Sequence, residues 1–196
     1  MNFRLTILAF LLTFVSISWS QQIGIPNLSG SYLQQSYPLF NPASIKKNST
    51  NIFLSHKQGV GVFSVFTQNY LNANYCFGSD SIKKHAIGIR IINDQAGNYI
   101  AVNRVALLYS YSLLLSSHYR LSLGIAPTII NHKKQAQNFG GSPIMENLDV
   151  GLWFNTTKFM LGASINQIIE NEFIVIEEVN LIKSQYVLNT KYSHKI

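Results

Sequence analysis

Arg90, Arg104, Arg120 and Asp149 form the one set of charges whose placement suggests a shared task. Each lies in a stretch where apolar residues alternate with small or polar ones, and each takes the small or polar side. Guanidinium and carboxylate groups brought together on one face of a sheet make charge-assisted, often bidentate, hydrogen bonds. Gly88, Ala106, Gly124, Ala126, Gly151, Gly162 and Ser164 share that side and leave room beside the charges, for a plug or for mutual filling. A nucleophile with its base is sought in Ser116 or Ser117 beside His118. Neighbours in one turn are not expected to face each other as those roles demand, so the turn is read as solvated. His56, His85 and His132 fall singly at predicted strand ends, without a zinc-type spacing. No catalytic residue, cofactor or metal ligand is expected. The pairs Lys46/Lys47, Lys83/Lys84 and Lys133/Lys134 read as solubilising charge kept out of an apolar band.

The elements that would position these residues are strands. From Asn147 to Gln167, Leu148, Val150, Leu152 and Phe154 alternate with Asp149, Gly151, Trp153 and Asn155; after a turn at 155–158, Phe159, Leu161, Ala163 and Ile165 alternate with Met160, Gly162, Ser164 and Asn166. Period two is strand geometry. The same alternation is found around Leu71–Phe77, His85–Ile92, Arg104–Ser112 and Tyr119–Thr128, with a shorter strand expected at Asn51–Lys57. Turns are expected at Ser79–Lys84, at Asn93–Gly97 and at Leu113–His118, with a long polar loop at Asn131–Glu146. Gly59–Asn69 reads as a loop or a strand of its own. Phe173–Val179 and Gln185–Tyr192 would bring the strand number to about nine. Strands joined in sequence by turns make an antiparallel meander.

Residues 1–20 have the layout of a secretory signal, with Arg4 ahead of an apolar core too short to span a bilayer and small residues at Ser18 and Ser20. Without Arg4 the net charge of +7 falls to +6, which for an exported chain suggests lipid phosphates or a solvated surface rather than nucleic acid. Cys76 alone makes no disulfide framework. Residues 21–50 are polar and loop-like, with Pro26, Pro38 and Pro42 opposing long regular structure, and are expected in the periplasm. Residues 51–196 are expected to form the barrel domain.

Two architectures satisfy the alternation: a soluble β-sandwich, and a transmembrane up-and-down β-barrel whose apolar face meets lipid. Aromatic residues of the apolar face flank three turns on one side: Tyr75 and Phe77, Tyr111 and Tyr119, Phe154 and Phe159. That is the pattern of a girdle at one membrane interface. The arginines avoid the apolar face, where each would cost roughly 2–4 kcal/mol at mid-depth. The barrel is the reading adopted, incomplete in this chain because no terminal aromatic strand closes it before Ile196.

Several pieces, in order, resemble the PorP/SprF family of type IX secretion system membrane proteins of Bacteroidetes. They are Asn41, Pro42 and Ala43; Ile87–Gly97, with Asn93, Asp94 and Gly97; Tyr109–Ser112 with Leu121–Gly124; and Asp149–Ser164, with Gly151 and Gly162. The similarity extends over about Gln34–Glu170 and fades beyond it. It implies a non-enzymatic outer-membrane component of a secretion and gliding machinery that supports export or surface attachment of cargo. Its partners would be outer-membrane lipid, periplasmic ring or peptidoglycan-linked components, and the secreted cargo itself. A soluble exported sandwich that binds a ligand, and a small barrel acting as a pore or lipid enzyme, remain the alternatives.

Overall fold

A computed structural model of the chain describes residues 33–45, 50–59, 66–78, 82–96, 100–134, 144–175, 178–182 and 184–192. The signal at 1–20, Lys46, Lys47, Gly97 and 193–196 lie outside them. Helix α1 (Leu33–Phe40) and a 3-10 turn (Pro42–Ser44) precede ten strands. These are β1 (Asn51–Gln58), β2 (Phe66–Phe77), β3 (Lys83–Ala96), β4 (Ile100–Ser116), β5 (Tyr119–Lys134), β6 (Ile144–Asn155), β7 (Phe159–Asn166), β8 (Asn171–Val175), β9 (Glu178–Ile182) and β10 (Gln185–Tyr192). Eight of them make one curled antiparallel sheet in the order β1-β2-β3-β4-β5-β6-β7-β10. The β8-β9 hairpin forms a separate two-stranded sheet between β7 and β10. The fold is an all-β, up-and-down antiparallel barrel wall that is incomplete, with β1 and β10 as its two edges.

The alternation inverts the usual order of a soluble protein. Leu54, Leu107, Leu123 and Ile129 on the outer face are 72%, 62%, 54% and 55% exposed, whereas Asn72, Arg90 and Asp149 on the concave face are 0%, 1% and 1%. A sandwich would cover that outer face with a second layer, and among the described residues none does so. No described helix is long and apolar enough to cross a membrane. The apolar packing that exists is concave: Leu39 with Phe53, Tyr70 and Ile92; Ile45 with Ala86, Ala106, Leu108 and Ala126; Val102 with Ile130 and Met145.

Several boundaries differ from the sequence reading in the same direction. β3 runs through Asn93 and Asp94 to Ala96 instead of turning there, and it already begins at Lys83. β4 continues to Ser116, β5 to Lys134, and β6 starts at Ile144, so the expected turn and long loop are shorter. Phe66–Asn69 belong to β2 rather than to a loop. Backbone pairing does not stop where the apolar alternation stops, because the ladder bonds join main-chain groups whatever the side chains are. The β3 extension also has side-chain support, since Asn93 bridges Asn69 and Asn103. The turn at residues 156–158 falls where expected. Pro127 lies within β5 facing outward, and the β4-β5 ladder lacks its Leu107 and Leu108 pairs beside it, as a residue without an N–H requires.

Candidate functional site

The largest departure from the sequence reading is the segment expected to be loop-like and outside the barrel. Tyr37–Ile45 lies against the concave face, with Pro38, Leu39 and Asn41–Ile45 buried. α1 is short and carries Pro38, which forgoes one helical hydrogen bond, and Asn41 N donates to Tyr37 O at 2.9 Å to close the last turn. Asn41 then caps the 3-10 turn, its Oδ1 accepting from Ala43 N at 2.9 Å, and Pro42 supplies the preset φ of a first helical position. Ser44 Oγ donates to Asn41 O at 2.7 Å. The Asn-Pro-Ala-Ser run is thus a self-bonded knob that presents little free polar backbone to its surroundings.

The wall receives this knob at a hollow. A Cβ at Gly151 would stand 2.1 Å from Asn41 Oδ1, and one at Gly124 2.3 Å from Ala43 N, so a side chain at either position would occupy the knob's place. The two glycines are cross-strand partners on β5 and β6. Asn41 Nδ2 donates to the wall carbonyls of Leu152 and Ala163 at 3.0 and 3.1 Å, and Ser164 Oγ donates to Phe40 O at 2.6 Å. Ser110 Oγ reaches Ala43 O at 3.4 Å. Tyr37 packs its ring on Trp153, with centroids 5.0 Å apart.

Charge holds the other side of the segment. Arg90 Nη1 donates to Leu39 O at 2.6 Å, and Arg90 Nη2 forms an ion pair with Asp149 Oδ2. Both residues are 1% exposed, so the pair is desolvated and its strength depends on the added hydrogen bonds. Asp149 Oδ1 accepts from Gln167 N at 2.8 Å. With the Gln167 amide turned to present its oxygen, that oxygen accepts from Arg104 Nη2. Arg90, Asp149, Gln167 and Arg104 therefore form one chain of charge-assisted bonds that crosses from β3 to β6 and back to β4. Gln167 was not anticipated. It follows β7 at φ 60, a left-handed conformation for a non-glycine residue, and in that conformation its N–H meets the carboxylate.

Arg120 stands apart. It pairs in register with Asn155, while Asp149 is opposite Ala126 on the same strand, roughly 20 Å further along at about 3.3 Å per residue. Asn93 and Asp94 lie in β3 near its end, and Gly162 packs against the Trp153 ring, where a Cβ would meet the indole at 2.1 Å. Ser117 and His118, which were not expected to face each other, do so: Ser117 Oγ lies 2.7 Å from His118 Nδ1. Both are exposed on the β4-β5 turn, and a hydroxyl bonded to imidazole in open water lacks the water-excluded surroundings that activate a nucleophile. His85 Nδ1 bonds Tyr109 Oη at 2.8 Å and His56 Nδ1 bonds Asn69 Oδ1 at 2.7 Å.

An apolar outer wall, a polar concave face and a segment docked by glycines and a buried ion pair define the class: an incomplete antiparallel β-barrel wall with a piece of its own chain packed on the concave face. The sequence profile of the type IX secretion system membrane proteins PorP/SprF matches residues 21–196. The chain belongs to that family, and the match includes β8, β9 and β10, beyond the Gln34–Glu170 stretch that carries the motifs. Neither curated proteins nor solved structures give a significant match.

Proposed function

We propose that this protein is a non-enzymatic outer-membrane component of a type IX secretion machinery, supporting export or surface attachment of cargo without conducting it through its own interior. The observation that carries this reading is the filled concave face: Asn41–Ser44 occupies the hollow at Gly124 and Gly151, where a conduit would need open space. Family membership supports the secretion context. The work of such a wall is to hold partners: lipid outside, and periplasmic ring or peptidoglycan-linked components at one rim. Under this reading the rim that carries the turns at residues 117–118 and 156–158 faces the periplasm, and the opposite rim faces outward.

The test is a membrane fractionation followed by affinity capture from detergent extract of the native host, combined with planar-bilayer recording of the purified protein. The reading expects the protein in the outer-membrane fraction, co-capture of secretion-machinery components, and no steady conductance. Recovery in the soluble periplasm, or a stable open channel, would overturn it.

A further inference from the structure

The outer face carries a feature that secretion does not call for. At one register, His56 on β1 faces Asn69 on β2, Asn69 faces Asn93 on β3, and Asn93 faces Asn103 on β4. Their side chains are bonded in a continuous row: His56 Nδ1 to Asn69 Oδ1 at 2.7 Å, Asn69 Nδ2 to Asn93 Oδ1 at 3.1 Å, and Asn93 Nδ2 to Asn103 Oδ1 at 2.6 Å. The parity is that of Leu54, Leu71, Ile91 and Val105, so the row lies on the outside of the wall. One register further along, the outward positions are Gln58, Thr67, Gln95, Ala101 and Lys133. One register back, they are Leu54, Leu71, Ile91, Val105 and Ile129. Polarity thus changes within a single step.

An aromatic row lies at the other end. Phe77 stacks on His85 with centroids 5.6 Å apart, His85 packs on Tyr111 at 5.2 Å, and Tyr119 stacks on Phe154 at 6.1 Å. The distance between the two rows repeats from strand to strand: Asn69 to Phe77, Asn93 to His85 and Asn103 to Tyr111 are each eight residues apart. The outward positions enclosed on β2, β3 and β4 are Leu71, Ala73 and Tyr75; Ile91, Ile89 and Ile87; Val105, Leu107 and Tyr109. None carries a charge.

We propose that the amide row and the aromatic row are the two edges of the surface that contacts bilayer hydrocarbon, an inference that rests on the membrane reading and deepens it. The occupant follows from the chemistry: an uncharged apolar band bounded by aromatic rings on one side matches acyl chains with an interfacial girdle. Side-chain amides at the upper edge would lose water on contact with hydrocarbon, and bonding one to the next compensates part of that loss. Eight residues at about 3.3 Å, tilted by about 40°, give a band roughly 20 Å tall, slightly below the ~25 Å usual for such barrels. Beyond the amide row the strands continue in water, which is why β3, β4 and β5 outlast their apolar alternation.

Single spin labels in a Cys76→Ser background test this, at Ile89, Ile91 and Gln95 on β3 and at Ala101, Val105 and Leu107 on β4, in phosphatidylcholine vesicles. Each label faces outward and leaves the concave packing intact, and heat-modifiable mobility confirms assembly. The ratio of collision with dissolved oxygen to collision with an aqueous nickel chelate is expected to favour oxygen at Ile89, Ile91, Val105 and Leu107. It should reverse at Gln95 and Ala101. Oxygen preference persisting at Gln95 and Ala101 would remove the amide row as an edge and leave the membrane reading standing. Chelate preference at Ile89 and Leu107 would defeat both.

Discussion

Replacing Asp149 by alanine leaves the Arg90 guanidinium buried, with Leu39 O as its close remaining acceptor. Removing one partner of a desolvated pair costs about 3–5 kcal/mol, because the surviving charge is neither solvated nor compensated. The N–H of Gln167 loses its acceptor in the same step, an unsatisfied donor that adds to the cost. Replacing both partners, Arg90→Met with Asp149→Leu, removes the stranded charge and should recover much of the loss. It does not recover all, because Leu39 O and Gln167 N then lack their charged partners. The assay is denaturant unfolding in micelles, followed by tryptophan emission. In a protein started at Gln21, and so without Trp19, the signal comes from Trp153, which packs under Tyr37 and reports docking of the internal segment. The expected order of stability is parent, then double variant, then Asp149→Ala. An Asp149→Ala variant within about 1 kcal/mol of the parent would refute the buried pair, since that is the range of solvent-exposed pairs.

Other perturbations read out separate parts of the site. Gly151→Val should displace Asn41 and Pro42, red-shifting Trp153 emission while strand content by circular dichroism is retained, because the added carbons meet the knob rather than a neighbouring strand. Asn41→Asp keeps an acceptor for Ala43 N but sets an oxygen against the Leu152 and Ala163 carbonyls, so it should lower the unfolding midpoint about as much as Asn41→Ala, roughly 1–3 kcal/mol. Arg104→Leu should leave the Arg90–Asp149 pair in place and cost less than Asp149→Ala when heat-modifiable mobility is followed across temperature. Ser117→Ala should leave any phospholipid hydrolysis by the purified protein at background, since its bond to His118 is exposed to solvent.

The parity of every long strand could be read from the sequence because side-chain period two survives in any sheet with one apolar face. Leu107, Leu123, Leu152 and Leu161 lie outward as that period requires, and Arg90, Arg104 and Asp149 lie inward. The turn at residues 156–158 was equally plain, since local chemistry alone defines it. What could not be read was the docking of Asn41. Its contacts with Leu152 and Ala163 span 111 and 122 residues, and no local pattern links an Asn-Pro-Ala run to glycines on distant strands. Those glycines were visible as spare room, but not as a fitted hollow. Asn93 and Asp94 were read as a turn because their side chains favour one locally, and the cross-strand amide row overrides that preference. Gln167 carried no signal, because its role depends on one main-chain conformation after β7.

The most direct test of the filled interior is thiol accessibility at Ser110, a wall residue 1% exposed beneath Ala43. In a Cys76→Ser background, Ser110→Cys is nearly isosteric and should react with a small maleimide only as fast as the segment opens, at least about a hundredfold slower than Ser117→Cys on the exposed turn. Adding Gly151→Val should release that protection. Equal rates at the two positions in the otherwise unaltered protein would mean that the concave face is open to solvent.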